Sequence, residues 1–299
     1  MNKALIYFLC FALIFSCNNS VKQNAASVSF DEQAHRGGRG LMPENTIASQ
    51  KTAIDYGCTL EMDLQMSKDK KIVVSHDAYF NSDFCLTPEG DTMTKKEGRS
   101  RLIFNMLYDS VAKYDVGMKP HSGFPRQKKI LAVKPLLSVL IDSVEAYAKE
   151  KNHVNHYNIE IKSSPKEDGT AYSSLEEFVE LAMKVIIDKG IDARTMIQSF
   201  DVRVLKMMHH KYPKVKLAFL VDGKNKKSVE GYIAELGFKP NIFSPHFSLI
   251  TNEIVKAFHE QNILVIPWTP NTLEDIQHLK SMGVDGVITD YPDLFSQIN

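Results

Sequence analysis

After residue 30, short apolar runs alternate with helical patterns, and that rhythm restricts the fold more than any other feature of the chain. Candidate strands fall at 33–36, 59–64, 72–75, 157–161, 195–198, 216–221, 241–244, 263–267 and 286–289. Helical stretches lie between most of them, at 45–56, 135–149, 174–189, 201–211, 227–236, 251–261 and 272–282. Alternation of this kind is the pattern of βα units wound into a parallel sheet. Nine strands are one more than a closed eight-stranded barrel needs. A parallel neighbour requires a crossover of about a dozen residues, yet only seven separate Leu64 from Ile72. The 72–75 run is therefore expected to be a hairpin partner outside the barrel. Eight strands remain, which is the count of a (β/α)8 TIM barrel. Residues 78–154 break the rhythm and are expected to be an insertion after the second barrel strand, lying over the barrel mouth.

In such barrels the chemistry sits at the C-terminal ends of the strands. Glu61 and Asp63 stand two apart on a strand and so share a face. Two adjacent carboxylates repel unless something positive lies between them, and a divalent cation with oxygen ligands meets that need. After the polar turn at 67–70, a short apolar run delivers His76 and Asp77. The same stretch also reads as a solvated strand edge with a surface histidine. The first strand ends in His35 and Arg36 beside glycines. Histidine is a general acid or base near neutral pH, and a guanidinium matches phosphate oxygens. Asn45 is placed to cap the first helix. Glu160 and Lys162 repeat the two-residue spacing, adding a third carboxylate and a fixed cation; alone they read equally as an ordinary ion pair. Trp268, the only tryptophan, stands at a strand end, either as a wall facing a substrate or as barrel packing. His246 is read as structural, Asp290 as a hydrogen-bonding residue of the last turn, and Asp285 as part of the loop feeding the last strand.

Together these motifs resemble the glycerophosphodiester phosphodiesterase family, over nearly the whole stretch from Ala34 to Pro292. His35-Arg36-Gly37 is followed after five residues by Pro43-Glu44-Asn45-Thr46. Glu61/Asp63, Lys68-Asp69, Val73-Val74-Ser75-His76-Asp77, Glu160/Lys162, Gln198-Ser199-Phe200-Asp201 and Pro267-Trp268-Thr269-Pro270-Asn271 come next, then the run from Gly283 to Pro292. Pro270 departs from the aliphatic residue more usual there. The resemblance implies a divalent cation, calcium or magnesium, on Glu61, Asp63 and Glu160. It implies His35 and His76 as the acid/base pair, and Arg36 and Lys162 as phosphate ligands. The expected reaction is hydrolysis of glycerophosphodiesters to sn-glycerol 3-phosphate and an alcohol, with water or the neighbouring glycerol hydroxyl as nucleophile. The rivals are a lysophospholipase D-type activity on the same scaffold and a phosphate-binding lipoprotein without turnover. An apolar groove near the insertion would favour the lysophospholipid and a small polar pocket the water-soluble diester; Phe80, Phe84, Leu86, Phe104 and Phe124 are candidates to line either.

The first residues carry a separate message. Lys3 precedes twelve apolar residues, closed by Ser16-Cys17. This is the form of a secretory signal, too short to span a bilayer, and its end resembles the bacterial lipobox. The expected organisation is a signal peptide at 1–16, a lipidated tether at 17–30 anchored through Cys17, and a barrel domain at 31–299 facing the periplasm or cell surface. Export would permit a disulfide between Cys58 and Cys85, but nothing in the sequence brings those sulfurs together. With 36 basic and 36 acidic residues the formal net charge is zero, so no basic excess points to nucleic acid.

Overall fold

The computed structural model describes residues 30–298; the expected signal peptide, Cys17 and nearly all of the tether lie outside the described residues. Eight strands run parallel: β1 (Asp31–Ala34), β2 (Thr59–Met66), β4 (Tyr157–Ile161), β5 (Thr195–Ser199), β6 (Lys216–Val221), β7 (Ile242–Pro245), β8 (Leu264–Val265) and β9 (Gly286–Thr289). Their order is β8-β7-β6-β5-β4-β2-β1-β9. Parallel bridges from Trp268 to His246 and to Ile288 bring the outer strands together, so the sheet nearly closes on itself. This is the expected (β/α)8 barrel. The strand β3 (Ile72–Val74) pairs antiparallel with β2, Met66 opposite Ile72 and Leu64 opposite Val74. The short connection forced that hairpin.

Helices α1 (Ile47–Asp55), α4 (Leu137–Glu150), α5 (Leu175–Asp188), α6 (Val202–Lys211), α7 (Val229–Leu236), α8 (Asn252–His259) and α9 (Leu273–Ser281) cover the outside. α4 falls inside the 78–154 stretch, yet it packs between α1 and α5 as a member of this ring. The main core lies between ring and sheet, where Leu60, Met62 and Leu64 of β2 meet Ala53, Leu140 and Val144. The alternate residues of β2 point into the barrel, which explains how Glu61 and Asp63 can sit in an otherwise apolar strand.

The barrel interior has two unlike halves. On the side of β6 to β9, Ala218, Ile242, Ile266 and Ile288 fill it. On the side of β1 to β5 a hydrogen-bonded ladder replaces them. Asn158 Nδ2 donates to Gln33 Oε1 at 2.7 Å and to Gln198 Oε1 at 3.1 Å, and Gln198 Nε2 donates to Glu61 Oε1 at 2.8 Å. Buried amides joined in this way fix one geometry. The carboxylates rest on that polar half.

Residues 78–136, with α2 (Lys95–Ser100) and α3 (Tyr108–Val111), build a small core of their own from Phe80, Phe84, Cys85, Ile103, Val111 and Tyr114, laid on Val73 of β3. Phe80 stacks on Tyr114 with centroids 3.8 Å apart. Cys58 and Cys85 are both free and buried, in different cores.

Candidate active site

The site begins where β1 stops. The strand was expected to reach Arg36, but the chain turns at His35–Gly37, with Arg36 in the left-handed region at φ 52°. A non-glycine residue stays there only when its surroundings hold it. Arg36 N donates to Glu61 Oε2 at 2.5 Å, and Asn45 N donates back to Arg36 O at 3.0 Å. Gly37 follows at φ 79°, and a Cβ there would lie 2.7 Å from the Ser49 carbonyl carbon, so the turn demands glycine. Asn45 does not cap the first helix. Its φ is 57°, and its Nδ2 donates to Asp63 Oδ2 at 2.8 Å. Thr46 caps α1 instead, in a reciprocal box with Ser49, a contribution of about 1 kcal/mol.

Glu61 and Asp63 on β2 and Glu160 on β4 converge, each offering an oxygen within 4.8 Å of the others. Asp63 pairs with Glu160 in the ladder register, which fixes the approach. All three are nearly inaccessible, at 1%, 1% and 6% exposure. Burial and the Asp63 charge push Glu61 well above the usual carboxylate range. Burial likewise raises Glu160, against the opposing pull of Lys162. Asp63 goes the other way: burial would raise it, but Arg36, His76 and Lys162 hold it well below. Its Oδ1 is buried with no hydrogen-bond partner among the described residues. Three carboxylates, one with an orphaned oxygen and two resisting ionisation for want of positive charge, fit a hard divalent cation.

Two cations stand beside them. Arg36 Nη1 donates to Glu44 Oε1 at 2.9 Å, and its Nε lies 3.4 Å from Asp63 Oδ2. Lys162, just past β4, reaches Glu160 Oε1 at 2.9 Å and Asp63 Oδ1 at 4.0 Å.

Each histidine has a carboxylate on its Nδ1. His35 Nδ1 donates to Asp290 Oδ1 at 2.6 Å. Asp290 also accepts from Arg39 Nε at 2.6 Å and from Asn271 Nδ2 at 2.7 Å. Burial pushes the His35 imidazole down to about 4, and Asp290 offsets only part of that. The ring is therefore neutral at neutral pH, with Nε2 as its free acceptor. His76 Nδ1 pairs with Asp77 Oδ1 at 2.9 Å. Burial raises Asp77, but the hydrogen bond and charge of His76, the Lys134 charge and the Asn81 hydrogen bond together outweigh it and bring the carboxyl to about 2.

A cavity of about 180 Å³ joins His35, Arg36, Glu61, His76, Glu160 and Lys162. Trp268 forms part of its wall, its Nε1 donating to Ser244 O at 3.1 Å and its ring edge-on to Phe200. Trp268 is thus both wall and packing. His246 faces Ser248 Oγ at 2.8 Å and the edge of Trp268. Asp285 accepts from Val265 N, and Asp69 accepts from Ser67 and from Tyr108 N, both as turn-builders. Four contributors were not singled out beforehand: Glu44, Asn45 as a partner of Asp63, Gln198, and Asp290 as a partner of His35. All lie inside the motifs quoted above, but local sequence gives no sign of which distant side chain each one meets.

An eight-stranded α/β barrel with paired histidines, two cations and three clustered carboxylates at its C-terminal mouth defines a phosphoric diester hydrolase. Residues 35–294 match the sequence profile of the glycerophosphoryl diester phosphodiesterase family, and the chain belongs to that family. It is 28% identical over 270 residues to a Bacillus subtilis glycerophosphodiester phosphodiesterase, covering 89% of this chain and 85% of that one. A Silicibacter pomeroyi crystal structure, described as a candidate glycerophosphoryl diester phosphodiesterase, superposes with a TM-score of 0.81 at 26% identity, covering 91% and 93% of the two chains. An Oleispira antarctica phosphodiesterase solved with its product sn-glycerol-3-phosphate has the same fold, with a TM-score of 0.70 at 22% identity over 89% and 95%.

Proposed function

We propose that this chain hydrolyses glycerophosphodiesters to sn-glycerol 3-phosphate and an alcohol. The observation that carries the reading is the convergence of both carboxylate-backed histidines, Arg36, Lys162, Glu61 and Glu160 on one cavity, with Asp63 clustered against the two glutamates. Glu61, Asp63 and Glu160 would hold a divalent cation, calcium or magnesium. When bound, that ion supplies Lewis-acid stabilisation of charge on the phosphoryl oxygens.

Arg36 and Lys162 bind and orient the phosphate, acting on the charge that develops in the transition state. Neutral His35 takes at Nε2 the proton of the attacking hydroxyl, from water or the neighbouring glycerol hydroxyl, as its oxygen bonds to phosphorus, while Asp290 on Nδ1 fixes the tautomer and steadies the imidazolium that forms. His76 returns a proton to the departing alkoxide, with Asp77 in the same supporting place. The reading favours a water-soluble diester over a lysophospholipid. Phe80 and Phe84 are consumed by the insertion's own core, and Phe124 packs under Arg39 and beside Tyr291. The N-terminal pattern supports export and a lipid anchor at Cys17.

The test is release of glycerol 3-phosphate from glycerophosphocholine and glycerophosphoethanolamine with magnesium or calcium, with EDTA, and with His35→Ala. Metal-dependent release that the mutant loses supports the assignment. No release from any diester by correctly folded protein rejects it.

A further inference from the structure

A second hollow opens beside the catalytic cavity. It is a groove of about 440 Å³ running between the turn after β3 and the loop after β4. His76, Glu160, Lys162 and Phe200 border both spaces. A phosphodiester carries two ester arms on one phosphorus. With the phosphate at Lys162, on the shared border, one arm falls in each hollow. The smaller space is closed by strand ends and Trp268, so its dimensions are set by the barrel. It suits the three-carbon glycerol common to all these substrates. The larger is bounded by loops and suits the alcohol that varies.

The groove has a definite chemical character. Beyond His76, Glu160 and Lys162, its charged side chains are Asp77 and Glu167. Asp168, next in the chain, is neutralised by Arg203 at 2.7 Å. Glu167 is not: its carboxylate accepts from Ser164 Oγ at 2.9 Å, and among the described residues no ion pair to it is found. Phe200, 40% exposed, and half-buried Tyr79 add aromatic faces. Gln65, only 3% exposed, also lines the groove. Its Nε2 donates to His76 O at 3.0 Å, and its Oε1 has no hydrogen-bond partner among the described residues. A cationic ligand meets the unneutralised carboxylate and the aromatic faces, and a primary ammonium also brings the N–H donor that the Gln65 acceptor lacks.

From this we infer that the groove is the leaving-alcohol subsite and selects an alcohol bearing a positive charge, an amino alcohol of the ethanolamine or choline kind, with Glu167 setting the preference. The inference rests on the phosphodiesterase reading above.

The experiment compares kcat/KM for glycerophosphocholine, glycerophosphoethanolamine and glycerophosphoglycerol at low ionic strength, for the metal-loaded protein and for Glu167→Gln and Glu167→Lys. The cationic diesters should lead the neutral one by about tenfold, a single charge contact's worth of discrimination. Glu167→Gln should shrink that ratio by threefold or more, and Glu167→Lys should shrink it further. A ratio near or below one in the unaltered protein overturns the inference, as does a ratio that neither substitution moves. Hydrolysis of all three diesters without charge preference defeats the groove alone. Hydrolysis of none defeats the phosphodiesterase reading and the groove with it.

Discussion

His35 and His76 reach one cavity from two kinds of chain. His35 ends a barrel strand, and its supporting carboxylate lies 255 residues away at the end of β9. His76 follows a hairpin strand outside the barrel, and its supporting carboxylate is the next residue. The first arrangement depends on barrel closure and leaves the His35 side chain 13% exposed; the second depends on a loop and leaves the His76 side chain 30% exposed. A buried imidazole far below its ordinary pKa is a neutral acceptor, whereas an exposed one beside the open groove can meet solvent and leaving group. The same residue type is thus given two characters by its support.

The comparison breaks most simply by removing the rings. His35→Ala and His76→Ala should each lower kcat by about 10²–10⁴-fold, read in a coupled glycerol 3-phosphate assay. If either retains near-normal kcat, the two are not partners in proton transfer. Chelation should be almost as severe: EDTA should abolish turnover and magnesium or calcium restore it. Because Glu61 and Glu160 are both raised and must lose protons to accept a cation, metal affinity should tighten as pH rises through and above the usual carboxylate range. Titration calorimetry at several pH values would show this, and an affinity that weakens with pH would remove these glutamates from the ligand set.

The supporting carboxylates should differ. Asp290→Asn should cost about 10²-fold in kcat, because it disturbs His35, Arg39 and Asn271 together, whereas Asp77→Asn should cost about tenfold. Equal losses would mean that burial does not distinguish the two sites. The pH profile sharpens the point. His35 is depressed to about 4, so its protonation should form an acid limb near that value, with activity lost as pH falls through it; a metal ion nearby would move the limb lower still. The same depression means that the unfolded chain binds more protons between about 4 and 6.5, so this group's contribution to stability declines as pH falls across that window. The smallest effect on the chemistry should come from Phe80→Ala. Removing a fully buried ring should cost about 3 kcal/mol of stability, measured by denaturant unfolding. Its residual kinetic defect should be smaller than that of Asp77→Asn, since Phe80 lies in the core beneath the hairpin and reaches the site only through it.

The barrel was legible because the βα rhythm and one short connection leave no other arrangement. Glu61 and Asp63 were legible as neighbours because strand periodicity puts alternate residues on one face, and Glu160 joined them through the family resemblance. The partnerships were not. Nothing near Asp290 in the chain identifies His35, and nothing near Asn45 identifies Asp63, because tertiary closure alone makes those pairs. Asn45 shows the limit plainly: its position reads as a helix cap, but the turn at Arg36 brings it onto Asp63 and leaves capping to Thr46. The two halves of the barrel interior also stayed hidden, since Gln33, Asn158 and Gln198 look like scattered polar residues until one ladder joins them.

The hairpin has a consequence for how this chain can vary. β2 rises past the barrel mouth to Met66, and β3 descends again, so Ser75 N meets Asp63 O at 2.9 Å and His76 arrives level with the carboxylates. Each strand residue spans about 3.3 Å, and a one-residue slip reverses its faces. Lengthening or shortening either strand by one residue would turn His76 away from the cavity, and two would shift it by about 7 Å. The turn at 67–71 is therefore a gauge block that sets the working height of one catalytic ring. Loops elsewhere on this barrel can absorb insertions, but this short span tolerates substitution far better than any change in length.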